Sequence, residues 1–146
     1  MNMAISYKTG IDNLDWDQLT ALYHYPGIGM VGGRGEKGDK EGIRQAFLNS
    51  YRVVTAWNDN RLVGSCRILS DGLCYGMIFD VGVLPEHRRK GVATTMLNLL
   101  LDGMDNMTIH LTSRFGMEDL YRKLGFKRHK NAFARYSFPT LYVEEG

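Results

Sequence analysis

The chain has 146 residues, 44% hydrophobic and 23% charged, with a formal net charge of +2 at pH 7. That composition excludes a disordered chain and suits one domain, residues 1–146, with one core. The charge is too small to argue for nucleic acid, and no window reaches the roughly 18 apolar residues that a membrane span needs.

Residues 4–9, AISYKT, read as a first strand. Asp15 and Gln18 have the spacing of a capping box, and Leu19, Leu22 and Tyr23 follow at helical spacing. Residues 26–38, PGIGMVGGRGEKG, form a glycine-rich loop. Asp39 caps a second helix that runs to about Asn49 and carries Ile43, Ala46 and Phe47. The period then changes. Residues 51–58, 61–69 and 73–83 read as three strands joined by tight turns at Asp59-Asn60 and Ser70-Asp71-Gly72, an antiparallel meander. A helix over 91–103 follows, carrying Val92, Met96, Leu97, Leu100 and Leu101, then a strand over 107–112 and a helix over 116–125. FKRH and AFARYSF read as a closing strand pair. The order β-α-α-β-β-β-α-β-α-β predicts an α/β (α+β) class, a mixed, mostly antiparallel sheet flanked by helices. Cys66 and Cys74 fall in strand-like runs without metal-ligand spacing. Both are expected to be buried small apolar residues, with no disulfide, no metal site and a cytoplasmic location.

Two stretches are glycine-rich enough for backbone to approach an anion. The first, residues 26–38, follows no strand and lacks G-x-x-x-x-G-K-[ST], and Asp39 behind it repels phosphate. It reads as a mobile loop or as one that closes over a substrate. The second, residues 83–95, follows a strand that ends at Val83 and is stopped by Pro85. Gly91 and Ala93 keep the helix start small, so N–H groups from about Arg89 to Thr94 face one point. Arg88, Arg89 and Lys90 disfavour an isolated helix N-terminus. They make sense beside a bound pyrophosphate, the plain alternative being a solvated basic turn.

At these residues the sequence resembles the GNAT superfamily of N-acetyltransferases. RRKGVA, residues 88–93, matches the acetyl-CoA signature R/Q-x-x-G-x-G/A behind a family-like VLPEH. DLYRKLGF, residues 119–126, is similar to the family's C-terminal tyrosine segment. The resemblance implies acetyl-CoA as co-substrate, with backbone amides from Arg88, Arg89, Lys90, Gly91, Val92, Ala93 and Thr94 on the pyrophosphate. Val81 and Val83 would pair with the pantetheine arm, and strand 107–112 would splay away to open a slot. Tyr121 would protonate the leaving thiolate, a role that suits a phenol, the plain alternative being a tyrosine packed at the core edge with Met117, Leu120 and Leu124. Where the family often places a coenzyme-contacting Asn, this chain has Arg114, which is assigned to the coenzyme phosphates instead.

Family members commonly use a carboxylate to take the proton of the amine. Asp80 is the first candidate, a charge set among Ile78, Phe79 and Val81. An Asp bonded to neighbouring backbone or to an Arg is the plain alternative, and His110 and Glu118 are the next candidates. The expected activity is direct acetyl transfer, in a ternary complex, to a primary amine of a small molecule. A protein N-terminus or lysine as acceptor, or an acyl-CoA-binding module without turnover, are the alternatives. Acceptor specificity is expected from the first two helices, the 26–38 loop and the closing strands. There Tyr23, Tyr25 and Met30 could line an apolar pocket, while Trp16 and Trp57 read as core. The run Arg122, Lys123, Lys127, Arg128, Lys130 has no interleaved aromatic residues, so no nucleic-acid partner is expected. No membrane partner is expected either, and the family makes a homodimer reasonable. The role of residues 136–146 is open.

Overall fold

The computed structural model describes residues 4–144. Strands β1 (Ser6–Thr9), β2 (Arg52–Asn58), β3 (Arg61–Ser70), β4 (Tyr75–Val83) and β5 (Thr108–Leu111) form one sheet in that order. The first three junctions are antiparallel, as the tight turns require, and β5 joins β4 in parallel. That last pairing needs a crossover, supplied by α4 (Val92–Leu100).

β2 and β3 are nearly continuous runs of buried residues because both faces of the sheet are covered. On one face α4 packs over β2 and β3, with Met96 pressed against Gly64. On the other, α1 (Trp16–His24) packs on β3 and on α3 (Lys40–Leu48). The helix starts sit where their caps predict. Asp15 accepts from the Gln18 amide and Asp39 from the Gly42 amide, each at 3.2 Å. The Gln18 side chain reaches further. It donates to the Asn60 carbonyl and accepts from the Leu62 amide, both at 2.8 Å, which ties α1 to the β2–β3 turn. Trp57 is buried in the core and Trp16 packs at its edge.

Four expectations need correction. The 26–38 loop contains one helical turn, α2 (Gly33–Glu36), whose Arg34 pairs with Asp39 at 2.6 Å. The helix expected over 91–103 stops at Leu100, with Gly103 left-handed at φ +77° just beyond it. Cys66 is buried as expected, but Cys74 is exposed. The Asp71 carboxylate accepts the amides of Leu73, Cys74 and Tyr75, and this turn holds Cys74 out of the strand. Those amides also hold the Asp71 carboxyl below its ordinary range.

The fourth correction concerns the closing strands. α5 (Glu118–Lys123) is the last regular element among the described residues, and FKRH and AFARYSF form no strand. β propensity is expressed only where a ladder partner is available. The segment instead associates through its rings. Phe115 stacks on Tyr142 at 4.9 Å, and Tyr136 meets Phe138 at 5.7 Å.

Candidate active site at the division of the sheet

β4 and β5 are paired only from Tyr75↔Thr108 to Ile78↔Leu111, yet β4 runs on to Val83. Beyond Ile78 the two strands part, and the edge of β4 is open. The gap is a cleft of about 1230 Å³, lined by Met77 to Val83 of β4, the loop 27–33, residues 111–117, α5 and the start of α4. Pockets for one drug-sized ligand run to about 1000 Å³, and this cleft exceeds that.

The floor of the cleft is irregular. Ser65 faces Gly82 and Arg67 faces Phe79, so two β4 residues, Asp80 and Val81, oppose the single Cys66. This is a β-bulge, and Asp80 takes the left-handed conformation at φ +58°, uncommon for a residue with a Cβ. Two long-range contacts hold it. The buried Tyr23 hydroxyl donates to the Asp80 carbonyl at 2.6 Å, and Arg67 Nε donates to Asp80 Oδ2 at 2.8 Å. Arg67 lies between the rings of Phe47 and Phe79, 5.6 and 5.5 Å from their centroids. Burial, and then the neighbouring Asp80 charge, push the Tyr23 phenol well above its ordinary range, so it remains a donor. Tyr23→Phe is expected to destabilise the fold by about 1–2 kcal/mol through the lost bond to Asp80. A urea midpoint lowered at unchanged slope would show it, and an unchanged midpoint would refute it.

One end of the cleft is an amide cradle. The Arg88 amide is occupied by the Pro85 carbonyl at 3.2 Å, and the first bond of α4 runs from Thr95 N to Gly91 O at 3.0 Å. Between them, from Arg89 to Thr94, no backbone N–H donates to another described residue. Arg89 at φ +61° and Gly91 at φ +81° curl the chain so that these donors cluster ahead of α4. A Cβ on Gly91 would find nothing within 4 Å, so the space before the helix is open. The basic triplet divides its work. Arg88 Nε bonds the terminal β4 carbonyl of Val83 at 2.9 Å, Arg89 lines the cleft, and Lys90 is exposed and does not line it.

Tyr121 stands on α5 in the opposite wall. Behind it Phe126 N bonds Tyr121 O and Gly125 N bonds Arg122 O, both at 3.0 Å, with Gly125 at φ +93°. This is a Schellman ending, and its apolar contact is the edge-to-face meeting of Phe126 with the Tyr121 ring at 6.1 Å and 83°. The LYRKLGF segment is therefore a device that orients one phenol. Burial pushes that phenol up to about 12, against the lowering influence of Arg114. Arg114 itself crosses the cleft to donate to the Gly29 carbonyl at 3.3 Å. The loop 27–33 is brought there by Ile28, buried against Gly82 where a Cβ would stand 2.5 Å from it.

The structure thus brings Asp80, Val81, Val83, Arg88, Arg89, Gly91, Val92, Ala93, Thr94, Arg114 and Tyr121 to one cleft. Lys90, His110 and Glu118 do not line it. His110 faces a separate shallow pocket with Asp71 and Tyr75, its ring 5.4 Å from His129. Glu118 accepts from the Gly116 amide at 3.1 Å, a local turn. Of the expected acceptor-pocket residues, Met30 lines the cleft; Tyr23 lies beneath it and Tyr25 outside. Sequence reasoning missed Arg67, Phe115 and the C-terminal wall of Tyr136 and Tyr142, which carry no motif. Among the described residues no cluster of metal-ligating side chains occurs, and no helix is long and apolar enough to cross a membrane.

Residues 13–126 match the model of the acetyltransferase (GNAT) family. A GNAT-family protein from Xanthomonas campestris pv. campestris superposes with a TM-score of 0.76 at 21% identity, covering 97% of this chain and 98% of that chain. A GNAT-family acetyltransferase from Streptococcus pneumoniae TIGR4 gives 0.71 at 18% identity, covering 92% and 100%. Glucosamine-6-phosphate N-acetyltransferase from Arabidopsis thaliana gives 0.62 at 15% identity, covering 91% and 99%. At these identities the likeness is one of fold. No curated protein matches the chain in sequence.

Proposed function

The chain belongs to the acetyltransferase (GNAT) family, and we propose that it moves the acetyl group of acetyl-CoA directly to a primary amine of a small molecule, with both substrates bound together. The observation that supports this is the placement of an amide cradle, an open strand edge and a buried phenol along one cleft. The residues present fit the coenzyme. The unpaired amides from Arg89 to Thr94 suit its pyrophosphate, and the Val81–Val83 edge suits its amide-bearing arm. Bound there, acetyl-CoA supplies a thioester carbonyl and a thiol leaving group.

The protein supplies position and protons. Tyr121 presents a neutral phenol to the sulfur as it gains charge. Asp80 takes the proton that an ammonium acceptor must lose, with Arg67 anchoring Oδ2 so that the other oxygen receives it. Asp80→Asn is expected to lower kcat about 10²-fold at neutral pH, the ordinary scale of general base catalysis. The loss should shrink as pH rises toward the acceptor's own pKa, where the amine arrives deprotonated. A loss that stays constant with pH would assign Asp80 a structural role only.

The deciding experiment is acetyl-CoA calorimetry followed by thiol release against a panel of small amines. Binding with release supports the proposal. Release only with peptide N-termini or lysines would transfer it to a protein acceptor. Binding without release on any acceptor would leave a binding module, and no binding would refute the reading.

A further inference from the structure

The charge inside the cleft is one-sided. Arg67, Arg88, Arg89, Arg114, Lys123 and Arg135 line it, and among the described residues Asp80 is the single lining carboxylate. Asp80 is already paired with Arg67 at 2.8 Å, their side chains 10% and 12% exposed. None of the other five cations has a carboxylate within ion-pair distance among the described residues. The coenzyme phosphates answer the charge at the cradle end, where Arg88 and Arg89 stand. The resemblance assigns Arg114 to those phosphates as well, but its side chain interacts with Gly29 and the Tyr121 phenol.

Arg114 belongs to the other end. It follows β5 where that strand has parted from β4, and its charge acts on the Tyr121 phenol. It is half-buried, and among the described residues its guanidinium makes one hydrogen bond, to the neutral Gly29 carbonyl at 3.3 Å. A guanidinium has five N–H donors in a planar fork, so most of this one is unspent. Such a fork matches a carboxylate or phosphate in two-point contact. A simple alkylammonium arriving at Tyr121 would leave that fork unmatched.

We infer that the acceptor is an amine carrying its own compact oxyanion, carboxylate or phosphate, which docks on Arg114 while the nitrogen lies between Asp80 and Tyr121. The inference rests on the acetyltransferase reading and adds the chemical class of its second substrate. Arg114 is then the residue that determines acceptor specificity, and it holds the far end of the acceptor against the 27–33 loop.

The test uses matched acceptors that differ in one anionic group: β-alanine against propylamine, O-phosphoethanolamine against ethanolamine, and an α-amino acid against its amide. In the wild type, thiol release should favour the charged member of at least one pair by about tenfold or more in kcat/KM, as expected where a half-buried fork is left unmatched by the neutral analogue. The pair that shows it separates carboxylate from phosphate. Arg114→Gln should bring the ratio toward one by raising KM, Arg114→Lys should restore part of it, and acetyl-CoA affinity should stay within about twofold in both. Equal rates within every pair would overturn the inference and leave the acetyltransferase reading intact. So would an Arg114→Gln variant that loses acetyl-CoA affinity, since the fork would then serve the coenzyme. Acetyl-CoA binding with no release from any member would overturn it as well, and peptide acceptors would then decide the broader reading. A wild type that binds no acetyl-CoA would end both.

Discussion

Tyr121→Phe should lower kcat by about 10²- to 10³-fold and leave acetyl-CoA affinity within about twofold, the range for loss of a general acid. The substitution removes one oxygen and keeps the ring, so the contact with Phe126 that seats the α5 ending survives. The fold should lose little. The phenol is raised to about 12, so its proton is present below that pH and lost only above it. Wild type should therefore show no falling limb from this group below about pH 10, and the ratio of wild type to variant should be flat from about pH 6 to 10. A ratio that changes with pH in that range would mean that the Tyr121 phenol itself titrates there, against its raised position. An unchanged kcat would remove Tyr121 from the chemistry.

Gly91→Glu should abolish measurable acetyl-CoA binding, a loss of about 10²-fold or more from combined charge repulsion and backbone strain. The position is left-handed at φ +81°, and it stands at the focus of the unpaired amides. Nothing within 4 Å would contact a Cβ there. An Ala is thus opposed by the backbone conformation alone, costing about 1 kcal/mol, whereas a Glu carboxylate enters the open space that the proposal gives to the pyrophosphate. Gly91→Ala should accordingly keep most of the affinity. Calorimetry on the two variants separates the causes. Equal losses would mean that the turn's shape matters and the anion site does not. No loss in the Glu variant would place the pyrophosphate elsewhere.

Much of this site was readable because its parts are local. A cap reaches three residues, so Asp15 and Asp39 announce their helices. The cradle needs a strand end, a glycine and a helix start in one short stretch, and residues 83–95 contain all of them. The Tyr121 helix closes on Gly125 and Phe126, again within one turn. The role of Asp80 was less readable. Period-two reasoning assumes an unbroken ladder, and the bulge at Asp80 and Val81 shifts the alternation by one residue. His110 shows the same limit: its residue type suits a base, but only the packed sheet decides that it faces another pocket.

The sequence by itself determined the order of the strands and longer helices as far as α5, the antiparallel meander, the strand–glycine–helix turn at 83–95 and the glycine that ends the Tyr121 helix. Each depends on contacts among close neighbours, and such contacts are fixed by residue type and spacing. The tertiary structure alone decided which side chains meet across the cleft. Tyr23 secures Asp80 from 57 residues away, and Arg114 reaches Gly29 across 85. It also decided that FKRH and AFARYSF form no strand, because a strand forms only where a neighbouring edge offers it a ladder, and that Tyr136 and Tyr142 line the cleft instead.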